Sequence, residues 1–190
     1  MPAVKVVSIS DYRLGTAYFQ WFHPETYNSA DAFLEAIRDF LKKSPSVEDG
    51  LIEEAQSWQI WEYRGFFGAE DAFFDYENPD LDALIALARA IDARGDQAEA
   101  LVAWVMESVY PVEEAIETFD SAFQGTYDDL QDFALDYLYD NHPEIANALG
   151  EVPGIRLDVD HFREALESDG WIFSYLENTG EWVVFRGKVW

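Results

Sequence analysis

Between Arg94 and Arg156 the chain has no lysine or arginine, yet fourteen carboxylates fall in that interval. They are Asp96, Glu99, Glu107, Glu113, Glu114, Glu117, Asp120, Asp128, Asp129, Asp132, Asp136, Asp140, Glu144 and Glu151. A second cluster, Glu70, Asp71, Asp75, Glu77, Asp80 and Asp82, has no basic neighbour before Arg89. Over 190 residues, 38 acidic side chains face 12 basic ones, a formal net charge of -26. A net charge of roughly 2–8 in magnitude keeps a small domain soluble, and a larger one works against compaction by self-repulsion. Such a chain folds only around a large apolar interior. Its composition supplies one, because 49% of residues are hydrophobic and 16% aromatic, unlike an aromatic-poor disordered acidic tail. The same charge argues against direct binding to nucleic acid or to an anionic membrane, both polyanions.

The apolar pattern predicts an α+β fold. Residues 3–9 and 16–22 read as short strands joined by a turn around Asp11 to Gly15. A helix follows over 29–43, with Phe33, Leu34, Ile37, Phe40 and Leu41 at helical spacing, and 57–63 reads as a third strand. This α+β unit ends near Gly65 to Gly68, and from residue 69 the pattern turns helical. Asp80 is placed to N-cap a helix with the stripe Leu81, Leu84, Ile85, Ala88 and Ile91, which Gly95 ends. Asp96 and Glu99 resemble a capping box before Leu101, Trp104 and Val105. Pro111 suits a first helical position, with Ile116, Phe119 and Phe123 inward and Gly125 as the stop. Thr126 with Asp129 caps the next helix, which runs toward Asn141 and Pro143. A helix over 159–168 stops at Gly170, and 171–177 with 181–187 form a hairpin across Asn178-Thr179-Gly180.

Helical spacing stacks Asp128, Asp132, Asp136 and Asp140 along one side of their helix, although each like-charged i,i+4 pair destabilises it by about 0.2–0.5 kcal/mol. Five carboxylates from Asp128 to Asp140 cover about 18 Å of helix, one per ~3.6 Å, close to the ~3.4 Å per phosphate of one DNA strand. A single acidic stripe is ordinarily a solvated face. Here the stripe recurs on several helices with no lysine interleaved, which points to a surface selected for its charge. Adaptation to high salt would instead spread the acidity evenly, whereas the few basic residues here stay mostly toward the two ends.

Catalytic chemistry finds little support. The absence of cysteine excludes disulfides, thiolate zinc sites and a cysteine nucleophile. His23, His142 and His161 are scattered, and no nucleophile elbow, phosphate-binding glycine loop or His-Glu-x-x-His pattern occurs. A carboxylate-dependent hydrolase is conceivable, but among 38 acids some pair is always available. Asp80-Leu81-Asp82 and Asp158-Val159-Asp160 lack the glycine and final glutamate of a calcium loop. The expectation is a non-enzyme without cofactor or metal. An acidic interaction module or chaperone for a basic partner is the competing class. The N-terminus lacks a signal peptide's apolar stretch, so a cytoplasmic location is expected.

Four stretches carry a family likeness. Ser10-Asp11-Tyr12 with Gly15 and Trp21 opens it, and Trp58-Gln59-Ile60-Trp61-Glu62-Tyr63-Arg64-Gly65-Phe66 continues it. The most distinctive block is Glu114-Ala115-Ile116, Phe119, Ala122-Phe123-Gln124-Gly125 and Tyr127, then Leu130, Phe133 and Ala134. Asp158, Phe162, Ala165, Leu166, Gly170 and Val184-Phe185-Arg186 complete it. The chain in these stretches resembles the ArdA-type antirestriction proteins of plasmids, transposons and phages. It departs in having Glu62 where an aspartate is usual and Arg156-Leu157-Asp158-Val159 in place of an aromatic-flanked Ile-Asp, with extra length around 44–56 and 143–156.

The resemblance implies an elongated, curved array of three small domains, 1–68 (α+β), 69–110 (helical) and 111–190 (α+β). It also implies a homodimer that imitates bent duplex DNA and inhibits type I restriction–modification enzymes of a bacterial host cell. The expected target-binding surface comprises Glu70, Asp71, Asp75, Glu77, Asp80, Asp82, Asp96, Glu99, Glu113, Glu114, Glu117, Asp120, Asp128, Asp129, Asp132, Asp136, Asp140 and Glu144.

Overall fold

A computed structural model describes residues 1–70, 75–152 and 154–187. The fold is α+β, with two three-stranded antiparallel sheets. The chain divides into two compact units, Met1–Glu117 and Thr118–Trp190. The first takes in both stretches read separately as 1–68 and 69–110. No helix among the described residues is long and apolar enough to cross a membrane.

In the first unit β1 (Ala3–Ser8) lies between β2 (Phe19–Phe22) and β3 (Trp58–Arg64). Its valines Val4 and Val6 are wholly buried, as a central strand requires. The segment read as a turn is a short helix, α1 (Ile9–Arg13), because Ser8 caps it by accepting from the Asp11 amide. Thr16 then donates its amide to the Asp11 carbonyl, so the second strand starts at Phe19 rather than at 16. Helix α2 (Ala30–Leu41) has Ser29 as cap and buries Phe33, Ile37, Phe40 and Leu41. Phe22 meets the Phe33 and Phe40 rings edge-on at 5.7 and 5.9 Å. The short α3 (Pro45–Glu48) follows, with Pro45 in its first turn.

Helix α4 (Leu81–Arg94) forms as its sequence predicts. The Asp80 carboxylate accepts from the Ala83 amide at 3.1 Å, and Gly95, at φ 55°, ends the helix in a conformation that favours glycine. A 3-10 turn, Gly95–Gln97, carries Asp96 and precedes α5 (Ala98–Glu107), whose cap residue Gln97 makes no side-chain cap bond. Leu101, Trp104 and Val105 are buried as expected, and Trp104 Nε1 donates to the Ala115 carbonyl at 2.9 Å.

Helix α6 (Val112–Ala122) stops earlier than expected, and β4 (Phe123–Tyr127) begins at once. Phe123 and Gly125 therefore belong to a strand, not to a helix and its stop. Strand β4 pairs with β6 (Glu181–Arg186), which also pairs with β5 (Trp171–Leu176), so the predicted hairpin gains a third strand in the order β4-β6-β5. Helix α7 (Leu130–Asn141) is capped by Asp129 itself, whose carboxylate accepts from Gln131 and Asp132 at 2.8 and 3.0 Å, while Thr126 lies in β4. Pro143 opens a further helix, α8 (Pro143–Glu151), and α9 (Val159–Glu167) is capped by Asp158. The core of this unit is aromatic. Phe133 packs against Tyr127, Trp171 and Phe173 at ring distances of 5.3, 5.6 and 5.4 Å.

Candidate functional site

The expected acidic residues fall off the apolar stripes of their helices and loops. Fifteen of the eighteen are exposed, Glu70 and Glu99 are half-buried, and Asp71 lies outside the described residues. Several also hold local structure. Asp75 accepts from the Glu77 amide at 2.8 Å, and Glu77 accepts from Gln59 Nε2 at 3.0 Å. Asp82 accepts from the Ala30 amide at 3.4 Å, while Asp80 and Asp129 are the helix caps described above. On α6, Glu113, Glu117 and Asp120 follow one another at one-turn spacing.

The α7 row is shorter than the sequence reading makes it. Asp128 precedes the helix and Asp129 is its extended cap, so only Asp132, Asp136 and Asp140 stack along it. These three span about 12 Å, with ~6 Å along the axis between neighbours, so the helical row alone does not reproduce the ~3.4 Å spacing of phosphates along a strand. None of the three has a lysine, arginine or histidine at ion-pairing distance among the described residues.

Several of the cations are engaged elsewhere. Lys5 and Arg64 pair with Glu62 at 3.8 and 2.7 Å, Lys42 with Asp39 at 2.7 Å, and Arg163 with Glu167 at 3.6 Å. The five helices α5 to α9 have no basic residue in the last turn, although the helix dipole favours one there. The local field is visible at Tyr127. Burial pushes its phenol above the ordinary range, and the nearby Asp136 and Asp140 carboxylates push it further.

No protein-family model matches the chain, and no curated protein matches it significantly. The site therefore rests on its own chemistry. Among the described residues no group of three or more histidines and carboxylates could hold a metal ion. Each histidine lies beside a glutamate instead, His23 by Glu25 at 3.5 Å, and His142 by Glu144 and His161 by Glu164 at 3.9 Å.

Two features escape the sequence reading. Asp11 is wholly buried, accepting from Ser8 Oγ at 2.5 Å, Ser44 Oγ at 2.7 Å and the Ser46 amide at 3.0 Å. Burial drives its carboxyl upward, but the bonds from Ser8, Ser46 and Ser44 outweigh that and hold it below its ordinary value. The second is a polar pocket of about 320 Å³ beside the α7 row, formed by Gln124, Tyr127, Asp136, Asp140 and Arg186 with aromatic neighbours. A Cβ at Gly125 would lie 3.2 Å from the Tyr127 ring, so a larger residue there would require the ring to shift. The sequence signal for this pocket is the Gly-Thr-Tyr run that the helix reading takes for a stop.

Proposed function

We propose that this chain is an antirestriction protein whose carboxylates imitate the phosphates of duplex DNA and occupy the DNA-binding groove of a type I restriction–modification enzyme. One observation carries the reading: exposed carboxylates recur from Asp75 to Glu144, and Asp132, Asp136 and Asp140 have no cationic partner. An unneutralised surface of this kind costs the free protein stability and suits a basic groove shaped for a polyanion. The likeness to ArdA-type proteins in the Ala122–Tyr127 block supports the choice of target. With it come the three-domain array (1–68, 69–110 and 111–190) and the homodimer, for which α9 and the β5–β6 hairpin are the candidate contact. The inhibitor acts by occupancy, without turnover and without a cofactor.

The test is displacement of DNA from a purified type I methyltransferase complex by stoichiometric protein. Asp132→Asn alone should change little, because one surface ion pair contributes about 0–1 kcal/mol. Neutralising Asp128, Asp129, Asp132, Asp136 and Asp140 together should weaken displacement strongly, and asparagine at 129 keeps the helix cap. Added salt should weaken it too, since the groove is screened over a Debye length of ~8 Å at physiological ionic strength. A fivefold variant that folds and displaces DNA like the wild type at every salt concentration would refute the charge mechanism. Tight binding to a basic histone-like protein, with no displacement of DNA, would place the chain among acidic chaperones.

A further inference from the structure

The polar pocket beside α7 is built by elements of one unit. Strand β4 supplies Gln124 and Tyr127, α7 supplies Asp136, Tyr137, Asp140 and Asn141, and β5 and β6 supply Trp171 and Arg186. Its base belongs to the aromatic core, for Phe133 and Trp171 are buried and the Tyr137 ring stands edge-on to Trp171 at 5.5 Å. A volume of about 320 Å³ lies at the lower end of the ~300–1,000 Å³ range of binding pockets, which suits one side-chain head group or a small molecule.

The hydrogen bonds made around the pocket decide what fits it. Asn141 Nδ2 donates to the Tyr137 carbonyl at 2.9 Å, and Gln124 Nε2 donates to the Ala122 and Phe123 carbonyls at 3.1 and 3.4 Å. Both side-chain amides therefore turn their donors to the backbone, and their oxygens make no bond among the described residues. Asp136 and Asp140, one turn apart on α7, add two carboxylates without a cationic partner among the described residues. The lining thus offers acceptors at two amides and two carboxylates, and its complement is a cation rich in donors. The cation already present, Arg186, does not fill that role. It stands over the Trp171 ring at 5.4 Å and makes no ion pair among the described residues. Its placement does show that this aromatic wall accepts a guanidinium. A metal ion fits poorly, because no three carboxylates or histidines gather among the described residues. An ammonium is a compact, strongly hydrated point charge, whereas a guanidinium is planar, weakly hydrated and carries five donors. We infer that this pocket receives the guanidinium of an arginine presented by a partner protein, bonded to Asp136 and Asp140 and laid against the aromatic wall. The inference rests on the proposed function only in assigning that arginine to the restriction–modification enzyme; the chemistry of the pocket is tested without it.

The probes are N-acetyl-arginine methylamide, its lysine counterpart and its neutral citrulline counterpart, each titrated into the full chain and followed by NMR. The wild type should bind the arginine probe at least about threefold more tightly than the lysine probe and at least about tenfold more tightly than citrulline. Shifts should concentrate on the side-chain amides of Gln124 and Asn141 and on the Trp171 indole. Asp136→Asn/Asp140→Asn alters two exposed side chains and should weaken the arginine probe at least about tenfold, with circular dichroism and sedimentation unchanged. Asp132→Asn/Glu144→Asn removes the same charge outside the pocket and should change binding by no more than about twofold. Equal affinity for arginine and lysine, or retained binding of citrulline, would overturn the inference. So would shifts spread over every acidic helix or equal losses in the two double variants, which would mark diffuse counterion condensation. In the displacement assay the pocket variant should displace DNA at least about threefold less effectively than the Asp132→Asn/Glu144→Asn control; equal displacement would overturn the assignment to the enzyme. Failure of the wild type to displace DNA would refute the proposed function instead, leaving the pocket to stand on the probe result.

Discussion

Helices α4 and α7 begin alike and then diverge. Each is opened by an aspartate, Asp80 or Asp129, that accepts amide bonds of the first turn. Helix α4 buries seven side chains and ends in Arg94. Its Arg89 donates to the backbone carbonyls of Glu25 and Tyr27, tying the helix to the segment before α2. Helix α7 buries four side chains, ends without a cation and carries its acidic row unpaired. The contrast extends through the two units. In Met1–Glu117, lysines and arginines fix the strands and helix ends, and even an aspartate, Asp11, is enclosed as a structural tie. In Thr118–Trp190, stability rests on an aromatic core and charge is left facing solvent. Residues 95–155 contribute fourteen carboxylates and no lysine or arginine, more than half of the net -26. A charge pattern that stability alone would not select is concentrated where the helices lack cations.

The comparison is sharpened most by removing core volume. Leu84 of α4 has no exposed surface, so Leu84→Ala should cost about 3–4 kcal/mol in denaturant unfolding. Leu135→Ala on α7, where the side chain is only half-buried, should cost less than half as much. Equal losses would mean that Leu135 is part of the core and that the two helices do not differ in packing.

Asp11 gives the next largest effect. Asp11→Ala would leave the Ser8 and Ser44 hydroxyls and the Ser46 amide without their acceptor, a loss of about 2–3 kcal/mol. Because the folded carboxyl is held below its ordinary value of 3.8, its contribution is complete above that pH and fades as pH falls through the folded value. The stability gap between wild type and Asp11→Asn should therefore be widest near neutrality and narrow below pH 3.8. A gap that widened on acidification would mean that the buried group is protonated in the native state.

How much of this is legible in sequence follows the range of the interactions. The cap, stripe and stop of α4 are local signals, and all three form where they are expected. The exposure of fifteen of the eighteen expected carboxylates is legible too, since they fall off local apolar patterns. Helix α1 is only partly so: its Ser8 cap is local, but further bonds that enclose Asp11 come from Ser44 and Ser46, 33 and 35 residues away. Strand β4 is missed for a similar reason: Phe123 pairs with Phe185, and Gly125 mimics a helix stop when read alone. Pro143, taken as the end of one helix, is the start of another. The Phe123–Tyr127 stretch is thus the one whose local pattern misleads.

The smallest effect separates charge from packing most cleanly. Asp140 sits one residue before the end of α7, where the dipole disfavours an anion, and four residues after Asp136. Asp140→Lys replaces a like-charged pair with an attractive one in its better orientation, acid before base, worth about 0.2–0.5 kcal/mol. A cation in the last turn adds about 0.3–1 kcal/mol. The variant should therefore unfold about 2–4 °C higher than the wild type, as a gain near 1 kcal/mol implies for a chain of this size. The opposite exchange in α4, Arg94→Asp, should lower stability by a comparable amount. If the acidic row serves a target, Asp140→Lys should also displace DNA slightly less well, so that stability rises as function falls. A destabilised Asp140→Lys would mean that this carboxylate supports the pocket it shares with Tyr127 and Arg186. The two helices would then differ in packing alone, and the unpaired row on α7 would no longer argue for a charged partner.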